Sequence, residues 1–477
     1  MKKYKSSKAV MITAASSGSG KTMITCALLW ALKRNRQLKP VSFKCGPDYI
    51  DPMFHKSVID IPSLNLDAFF MKKEELREVF ARYSNNQDVA VIEGVMGYYD
   101  GIAGNTDIAS SYEVADILNV PAILIVDTKG MSLTAAAIIK GIKEYKENSH
   151  IKGVILNRTS KVIYDRLHII IEAELGVKVL GYMPNIEAFN FDSRHLGLIQ
   201  PKEVFDIEKK LEKISEVFEE CVDISAIIEL AKEAGKHTVD LENIYQFSDN
   251  LVDNSAEKNQ LIKVAYAFDK AFSFYYEENL RLFREMNIEL IPFSPLEDKT
   301  LPIGIAGLLI GGGYPEIYAK ELSLNSTMLN SIKKRLDFGL PCIAECGGFM
   351  YLHSELESTS SKFYKMVGVI SGKSYNKKQL GRFGYITLKA EKNNMLCSAG
   401  EEIKAHEFHY WDSESNGNTC TAYKPMSERK WECIVSSENL FAGYPHLYLS
   451  SNKNFVTNFV KKCKMFSDEM KREVINK

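Results

Sequence analysis

The chain has 477 residues, a length that suits two or three domains of ordinary size. Its 60 basic side chains balance 61 acidic ones, and this net charge of −1 argues against a broadly basic surface for nucleic acid or anionic membranes. The nine cysteines form no Cys-x-x-Cys pair, and no uninterrupted apolar stretch reaches the length of about 18 residues that a membrane span needs. These features disfavour a disulfide scaffold and predict a cytoplasmic location.

A phosphate-binding loop is predicted near the N-terminus. An apolar strand (residues 9–12) leads through the sequence AASSGSGKT (residues 14–22) into an apolar helix (residues 23–32). Small residues let backbone N–H groups surround phosphates, while the helix N-terminus, a lysine and a threonine add a dipole, a cation and a magnesium ligand. Ala15 stands where such loops usually begin with glycine, which is tolerable if its φ stays negative. The predicted nucleotide-binding residues are Ser17, Gly18, Ser19, Gly20, Lys21 and Thr22.

Four carboxylates accompany the next two predicted strands. Asp48 and Asp51 lie in a loop after residues 39–44, Glu93 ends the strand of residues 88–93, and Asp100 follows it. Loops at the carboxyl ends of parallel strands form the ligand crevice of open α/β sheets, so these groups are expected beside the phosphate loop. There they could hold Mg²⁺ or orient a substrate, whereas turn formation is the alternative for the two aspartates of the first loop.

Strand and helix segments alternate up to about residue 184, which predicts a doubly wound, mostly parallel α/β sheet. Asn157 and Arg158, at the end of one predicted strand, either contact the nucleotide base or begin a turn. Residues 203–234 are predicted to be helical, and polar sequence then indicates a linker. The predicted division is a nucleotide-binding domain over 1–240, a linker over 241–260, a second α/β domain over 261–455 and a helical tail over 456–477.

The second domain contains a candidate nucleophile, Cys346. An apolar strand reaches this residue at a Gly-Gly turn and an apolar helix follows, which is the strand–nucleophile–helix arrangement of hydrolases. A helix N-terminus is expected to lower the pKa of the thiol. The backbone N–H groups of Gly312, Gly313 and Gly347 are candidates for an oxyanion hole, whereas Cys342 is interpreted as a structural core cysteine.

A cysteine nucleophile needs a histidine base, and this domain offers His353, His406, His409 and His446. His353 is expected on the helix after Cys346, an unfavourable place from which to turn back toward the thiol. His446 follows a turn near the end of the domain, where a loop can present a base. His446 is therefore the predicted partner of Cys346.

Four motifs together resemble the cobyrinate a,c-diamide synthase family. They read KCGPDYIDP (residues 44–52), EGVMGYYDG (residues 93–101), AECGGFMYL (residues 344–352) and HEFHY (residues 406–410), within a resemblance running from about residue 8 to 452. The resemblance implies an ATP-dependent amide synthetase, similar to dethiobiotin synthetase, fused to a class I glutamine amidotransferase. The implied substrates are cobyrinate, ATP and L-glutamine, with Mg²⁺ as cofactor and with neither nucleic acid nor membrane as partner. Whether the protein forms a homodimer stays open.

The resemblance also implies roles for individual residues. Cys346 would attack the glutamine amide with His446 as proton shuttle, and the released ammonia would capture acyl phosphates formed from ATP at the a and c acetate groups of the corrin. The implied magnesium ligands are Thr22, Asp51 and Glu93. The implied contacts to substrate or intermediate are Asp48, Asp100, His406, His409 and Tyr410.

Two departures from the family pattern accompany these matches. Tyr448 stands where most class I amidotransferases carry the glutamate of a catalytic triad, an absence that is typical of this branch. Tyr410 and Trp411 stand where the family more often has a small hydroxyl residue.

Two rival interpretations remain. A sister enzyme that amidates nickel sirohydrochlorin shares all four motifs. A partitioning ATPase of the same phosphate-loop superfamily is disfavoured, because its signature lysine is replaced here by Ser16 and because it has no use for Cys346.

Overall fold

The computed structural model describes residues 3–186, 201–240 and 261–475. The chain divides into two compact units, Met1–Ile244 and Tyr245–Lys477. The predicted linker, residues 241–260, lies outside the described residues. Within the ranges given above, no helix combines the length and the apolar character that crossing a membrane requires.

A parallel sheet of seven strands forms the centre of the first unit, with helices as the connections between strands. This confirms the predicted doubly wound α/β fold. Continuous apolar sequence suits strands that are buried on both faces, and the strand before the phosphate loop is buried from Ala9 to its end. In spatial order the strands are Ser63–Leu66, Pro40–Cys45, Val89–Glu93, Lys8–Ala14, Ala122–Asp127, Ile151–Asn157 and Lys178–Met183.

Eight α-helices are described in this unit, and the first continues as a π-helical turn, Ala31–Asn35. A short antiparallel pair joins Lys3–Lys5 to Thr238–Asp240, so the chain returns to its own start after the last helix. The described helices are Lys21–Trp30, Ile50–Ser57, Lys73–Ser84, Ser111–Leu118, Thr134–Glu144, Lys161–Leu175, Pro201–Cys221 and Ile224–Ala231, together with the 3₁₀ turn Ile102–Gly104.

Asp51 lies in the first turn of a helix, and not in the loop where the sequence placed it. The helix starts early because Asp48 Oδ1 accepts the backbone N–H groups of Ile50 (2.8 Å) and Asp51 (3.4 Å). A carboxylate in this position satisfies N–H groups that have no partner within the helix. The Asp48 side chain therefore has a structural role besides any role in substrate binding.

The second unit contains a six-stranded sheet whose first five strands are parallel. Its spatial order is Ile288–Phe293, Ile262–Ala267, Gly307–Ile310, Cys342–Glu345, Leu440–Gly443 and Val435–Ser436. A five-stranded antiparallel sheet has the order Lys430–Cys433, Cys420–Tyr423, Arg382–Ala390, Glu402–His409 and His446–Leu447. The remaining strands are Phe363–Lys365, His353–Glu357, Ile370–Asn376 and Trp411–Ser413 in one sheet, and Phe272–Phe274 with Gly312–Gly313 in another.

The helices of the second unit correct the prediction for His353. They are Glu277–Glu285, Ala319–Leu324, Ser326–Asp337, Gly347–Tyr351 and Lys453–Ile475, with the 3₁₀ turn Leu449–Ser451. The helix after Cys346 has only five residues, so His353 begins a strand and is not helical as predicted. Its ring is buried between the carbonyl oxygen of Phe349 (2.8 Å) and the hydroxyl of Ser413 (2.6 Å).

The C-terminal segment, predicted as a separate tail over 456–477, lies in a helix that packs into the second unit. The last helix begins at Lys453, so the predicted boundary at residue 456 falls inside it. Phe455, Phe459 and Cys463 are almost fully buried and belong to the main hydrophobic core of the second unit. This helix is therefore an integral part of the unit.

Candidate active sites

Two glycines shape the phosphate loop of the first unit. Gly18 and Gly20 have φ values of +77° and +95°, which only glycine adopts without strain. A Cβ atom on Gly20 would also lie 2.2 Å from Nδ2 of Asn157. Ala15 is not among the residues with positive φ, so alanine is tolerated at this position, as predicted.

The two strand-end residues whose role the sequence left open contact the backbone of this loop. Asn157 Nδ2 donates to the carbonyl oxygen of Ser19 (2.9 Å), and Arg158 donates to that of Gly18 (3.1 Å) while also pairing with Asp127. Both side chains therefore hold the phosphate loop in place. This role differs from the two that the sequence left open, namely contacting the nucleotide base and beginning a turn.

Lys21 and Thr22 turn toward the strand that ends at Glu93. Lys21 Nζ donates to the carbonyl oxygens of Met96 (2.6 Å) and Ser16 (3.1 Å), and Thr22 Oγ1 donates to Glu93 Oε1 (2.7 Å). Burial, and to a smaller extent the charge of Lys44, lowers the pKa of Lys21 to about 8. An anion placed in the loop would raise this pKa and favour the charged form of the lysine further.

Lys44 was given no role by the sequence analysis, yet it lies at the centre of the candidate site. Its Nζ is 2.6 Å from Asp51 Oδ2, 2.9 Å from Glu93 Oε1 and 3.9 Å from Asp48 Oδ2. Burial alone would lower the pKa of Lys44, but the carboxylates of Asp51 and Glu93 raise it well above its ordinary value. A lysine in a predicted strand of mostly apolar residues was the signal in the sequence.

The carboxylates around Lys44 differ in their pKa values. Burial and the neighbouring Asp51 raise the pKa of Glu93 to about 7 and that of Asp48 to about 6. For Asp51 burial acts in the same direction, but the ammonium of Lys44 outweighs it and lowers the pKa. The cluster therefore holds Asp51 ionised and leaves the other two close to neutral pH in their titration.

His55 is a second residue that the sequence analysis missed. The ring is fully buried, with Nδ1 2.8 Å from Ser42 Oγ and Nε2 3.8 Å from Glu93 Oε2. Burial lowers its pKa to about 4, so the ring is neutral at physiological pH.

The residues predicted to hold Mg²⁺ fit that ion in part. A hydroxyl and a carboxylate are the hard oxygen ligands that Mg²⁺ prefers, and Glu93 Oε2 is buried with no hydrogen-bond partner among the described residues. The negative charge of Asp51 is already balanced by the ammonium of Lys44, which makes Asp51 a weaker ligand for a cation. Within the described part of the chain, no group of three or more His, Cys, Asp or Glu side chains is arranged to hold a metal ion. Thr22 and Glu93 are therefore the better-fitting ligands.

Asp100 has a structural contact in the loop that follows Glu93. Its Oδ2 accepts the backbone N–H of Gly97 (2.8 Å), and a Cβ atom on Gly97 would lie 2.5 Å from the same oxygen. Asp100 thus shapes the turn that presents the Met96 carbonyl to Lys21.

The second unit places Cys346 at a sharp backbone turn between the strand Cys342–Glu345 and the helix Gly347–Tyr351. Cys346 has φ +49° and ψ −104°, a strained conformation for a residue with a side chain, and its N–H donates to the carbonyl oxygen of Gly443 (2.8 Å). The pKa prediction for this thiol was wrong. Burial raises it well above the ordinary range, because a helix of one turn cannot offset the loss of solvent.

His446 and the three predicted oxyanion-hole glycines lie around this turn. A Cβ atom on Gly312 would come within 2.3 Å of His446 Cε1, and one on Gly347 would lie 3.0 Å from the backbone nitrogen of Gly313. A side chain at Gly312 would therefore clash with the imidazole. Burial lowers the pKa of His446 to about 3.

The HEFHY motif does not form one continuous contact surface. His406 and His409 lie three residues apart in the strand Glu402–His409, so their side chains point to opposite faces of the sheet. The His409 ring stacks on Tyr444 with a centroid distance of 3.8 Å, whereas His406 packs edge-on against Phe383 and Tyr385. Tyr410 is 41% exposed and follows the strand. His406 and Tyr410 can line a common surface, but His409 cannot join them there.

Comparison with known proteins defines the class to which the chain belongs. Residues 10–199 match the family model of the CobQ/CobB/MinD/ParA nucleotide binding domain, and residues 263–454 match that of the CobB/CobQ-like glutamine amidotransferase domain. The chain thus combines a nucleotide-binding domain with a glutamine amidotransferase domain.

Full-length relatives narrow this class. A cobyrinate a,c-diamide synthase of Caldanaerobacter subterraneus subsp. tengcongensis is 39% identical over 96% of this chain and 98% of that protein. The same name belongs to relatives from Clostridium acetobutylicum, 42% identical over 95% of this chain and 100% of that protein, and Picrophilus torridus, 38% identical over 95% and 98%. The chain is a member of the cobyrinate a,c-diamide synthase family.

Replacing Lys44 with methionine should destabilise the first unit by about 3–5 kcal/mol, because it leaves buried carboxylates without their counter-charge. Calorimetric unfolding of the full chain measures this loss. Lys33→Met is the matched control, since Lys33 pairs with Asp60, whose side chain is 86% exposed, and its loss should cost much less stability than the loss of Lys44. Equal effects of the two substitutions would contradict the assigned importance of the Lys44 cluster.

Proposed function

We propose that the chain catalyses the ATP- and glutamine-dependent amidation of the a and c acetate groups of cobyrinate, a step in cobalamin biosynthesis. The observation that carries this proposal is the strained turn at Cys346, with φ +49°, directly after Glu345, whose Oε2 lies 3.8 Å from His446 Nδ1. It occurs in one chain with a phosphate loop, and relatives similar over their full length are named cobyrinate a,c-diamide synthase.

In the proposed glutaminase reaction, the Cys346 sulfur attacks the side-chain amide carbon of glutamine as His446 takes the thiol proton. Backbone N–H groups of Gly313 and Gly347 stabilise the oxyanion. His446 returns the proton to the leaving nitrogen, the C–N bond breaks and ammonia departs. Water then hydrolyses the thioester to release glutamate and restore the thiol.

In the proposed synthetase reaction, an acetate oxygen of the corrin attacks the γ-phosphorus of ATP, and ADP leaves. Ammonia attacks the resulting acyl phosphate, and phosphate leaves as the amide forms. Lys21 and the loop backbone bind the phosphates, while Asp48 and Asp100 are proposed to steer substrate or intermediate. Thr22 and Glu93, with Asp51 as the weaker candidate, would hold Mg²⁺, which supplies charge neutralisation at the phosphates.

Lys21→Ala should abolish amide formation with either glutamine or ammonium as nitrogen donor, because both routes need the activated carboxyl group. Product formation is measured at saturating ATP. Glutamine hydrolysis by the same preparation serves as the control for folding of the second unit. Normal amidation by the variant would contradict the assignment of this loop as the ATP-binding site.

Cys346→Ala should eliminate glutamine-dependent amidation while leaving ammonium-dependent amidation intact at alkaline pH, where free ammonia is appreciable. Cys342→Ala is the matched control: this cysteine is buried four residues earlier, and its loss should leave both nitrogen sources usable. A purely structural role of Cys346 makes a different forecast, namely that both nitrogen sources fail together through misfolding.

The substrate itself is tested by ATP hydrolysis with a panel of tetrapyrroles, glutamine being present throughout. We expect stimulation by cobyrinate. If only nickel sirohydrochlorin stimulates ATP hydrolysis, the substrate is nickel sirohydrochlorin and not cobyrinate.

A further inference from the structure

Glu345 contacts the candidate base from the strand that carries the nucleophile. It is the last residue of the strand Cys342–Glu345 and directly precedes Cys346. Its Oε1 accepts the backbone N–H of Leu447 (3.1 Å), and its Oε2 lies 3.8 Å from Nδ1 of His446. One carboxyl group therefore faces the imidazole and also holds the backbone next to it.

Burying a carboxyl group at this position has a free-energy cost. The preceding strand residues Cys342, Ile343 and Ala344 belong to the hydrophobic core, and burial raises the pKa of Glu345 to about 8. Nothing in strand packing calls for a carboxylate here, and a buried acid is tolerated where it has a specific partner. The described partners of Glu345 are the base and the residue that follows the base.

The position that supplies a triad carboxylate in most class I amidotransferases cannot do so in this chain. Tyr448, two residues after His446, packs edge-on against Tyr276 with a ring centroid distance of 5.8 Å and is buried. A carboxylate toward the imidazole must therefore come from another element, and Glu345 provides one.

We propose that Glu345 is a positioning residue that orients the His446 ring through Nδ1 and stabilises the imidazolium formed when His446 takes the thiol proton of Cys346. This inference rests on the proposed function of Cys346 and His446. The separation of 3.8 Å is that of the resting site, and hydrogen bonds of catalytic groups commonly shorten when substrate binds.

The electrostatics of the site support this role. His446 is buried and its pKa is lowered to about 3, so an imidazolium there is unfavourable without a nearby negative charge. Two opposite charges attract strongly where solvent is excluded, and each then reduces the cost of burying the other. Ionised Glu345 and protonated His446 are in this relation, whereas either charge alone is destabilised.

Glu345→Gln tests the proposal, because the amide oxygen can still accept the Leu447 N–H but no negative charge faces His446. We expect kcat for glutamine hydrolysis to fall about 10- to 100-fold, a loss typical of a misplaced catalytic group. KM for glutamine should stay within about twofold, because Glu345 acts on the base and not on substrate binding. Amidation with ammonium should be unchanged.

Glu357→Gln is the matched control. Glu357 is another partly buried glutamate of the same unit, and its Oε2 accepts the backbone N–H of Asn376 (2.8 Å). This substitution makes the same chemical change at a carboxylate that holds backbone, so kcat for glutamine hydrolysis should stay at the wild-type value.

Cys346→Ala, assayed alongside, separates the two levels of inference. If Cys346→Ala loses glutamine use but Glu345→Gln keeps wild-type kcat, the positioning role is wrong and the proposed function stands. A Glu345→Gln variant that loses both nitrogen sources, or whose kcat falls no further than that of Glu357→Gln, also overturns the positioning role. If Cys346→Ala still hydrolyses glutamine, the proposed function itself fails.

Discussion

Parallel strands deliver their last residues to one edge of a sheet, and both candidate sites depend on this constraint. In the first unit it brings the phosphate loop, Lys44, Glu93 and Asn157 together from four of five consecutive strands. In the second unit it brings Glu345 and Gly443 side by side in register, so that Cys346 and His446 follow from adjacent strands. Groups that are far apart in sequence meet because the strand order places their chain ends together.

The two sites handle buried charge in opposite ways. The first unit pairs its charges: Lys44 lies between Asp51 and Glu93, and this attraction outweighs the cost of burying the ammonium. In the second unit burial raises the pKa of Glu345 and lowers that of His446, so an isolated charge on either group is disfavoured. The first site thus contains a buried ion pair, whereas in the second site a charge on one group is stabilised only by an opposite charge on the other.

Local pattern was enough to predict the strands, the phosphate loop and the turn at Cys346, because each follows from apolar runs, small residues and glycine within about ten neighbours. Contacts across strands were not accessible in the same way. Lys44 and Glu345 are single charged residues within apolar strands, and their roles appear only when strand order shows what faces them. The length of the helix after Cys346 was also missed, because the tertiary contacts of His353 with Phe349 and Ser413 override local helix propensity.

The wrong prediction for the Cys346 pKa shows where its reactivity has to come from. A helix dipole acts over about one turn and contributes roughly 1 kcal/mol or less at most sites, which is too little to offset full burial of a thiolate. The thiol therefore stays protonated until a base removes its proton, and that base is itself disfavoured as a cation by burial. Separating these charges is energetically favourable only when the thiolate, the imidazolium and a facing carboxylate lie next to one another in a site that excludes water. Under the proposed function, Cys346 is therefore activated by His446 and Glu345 acting together and not by the helix that follows it.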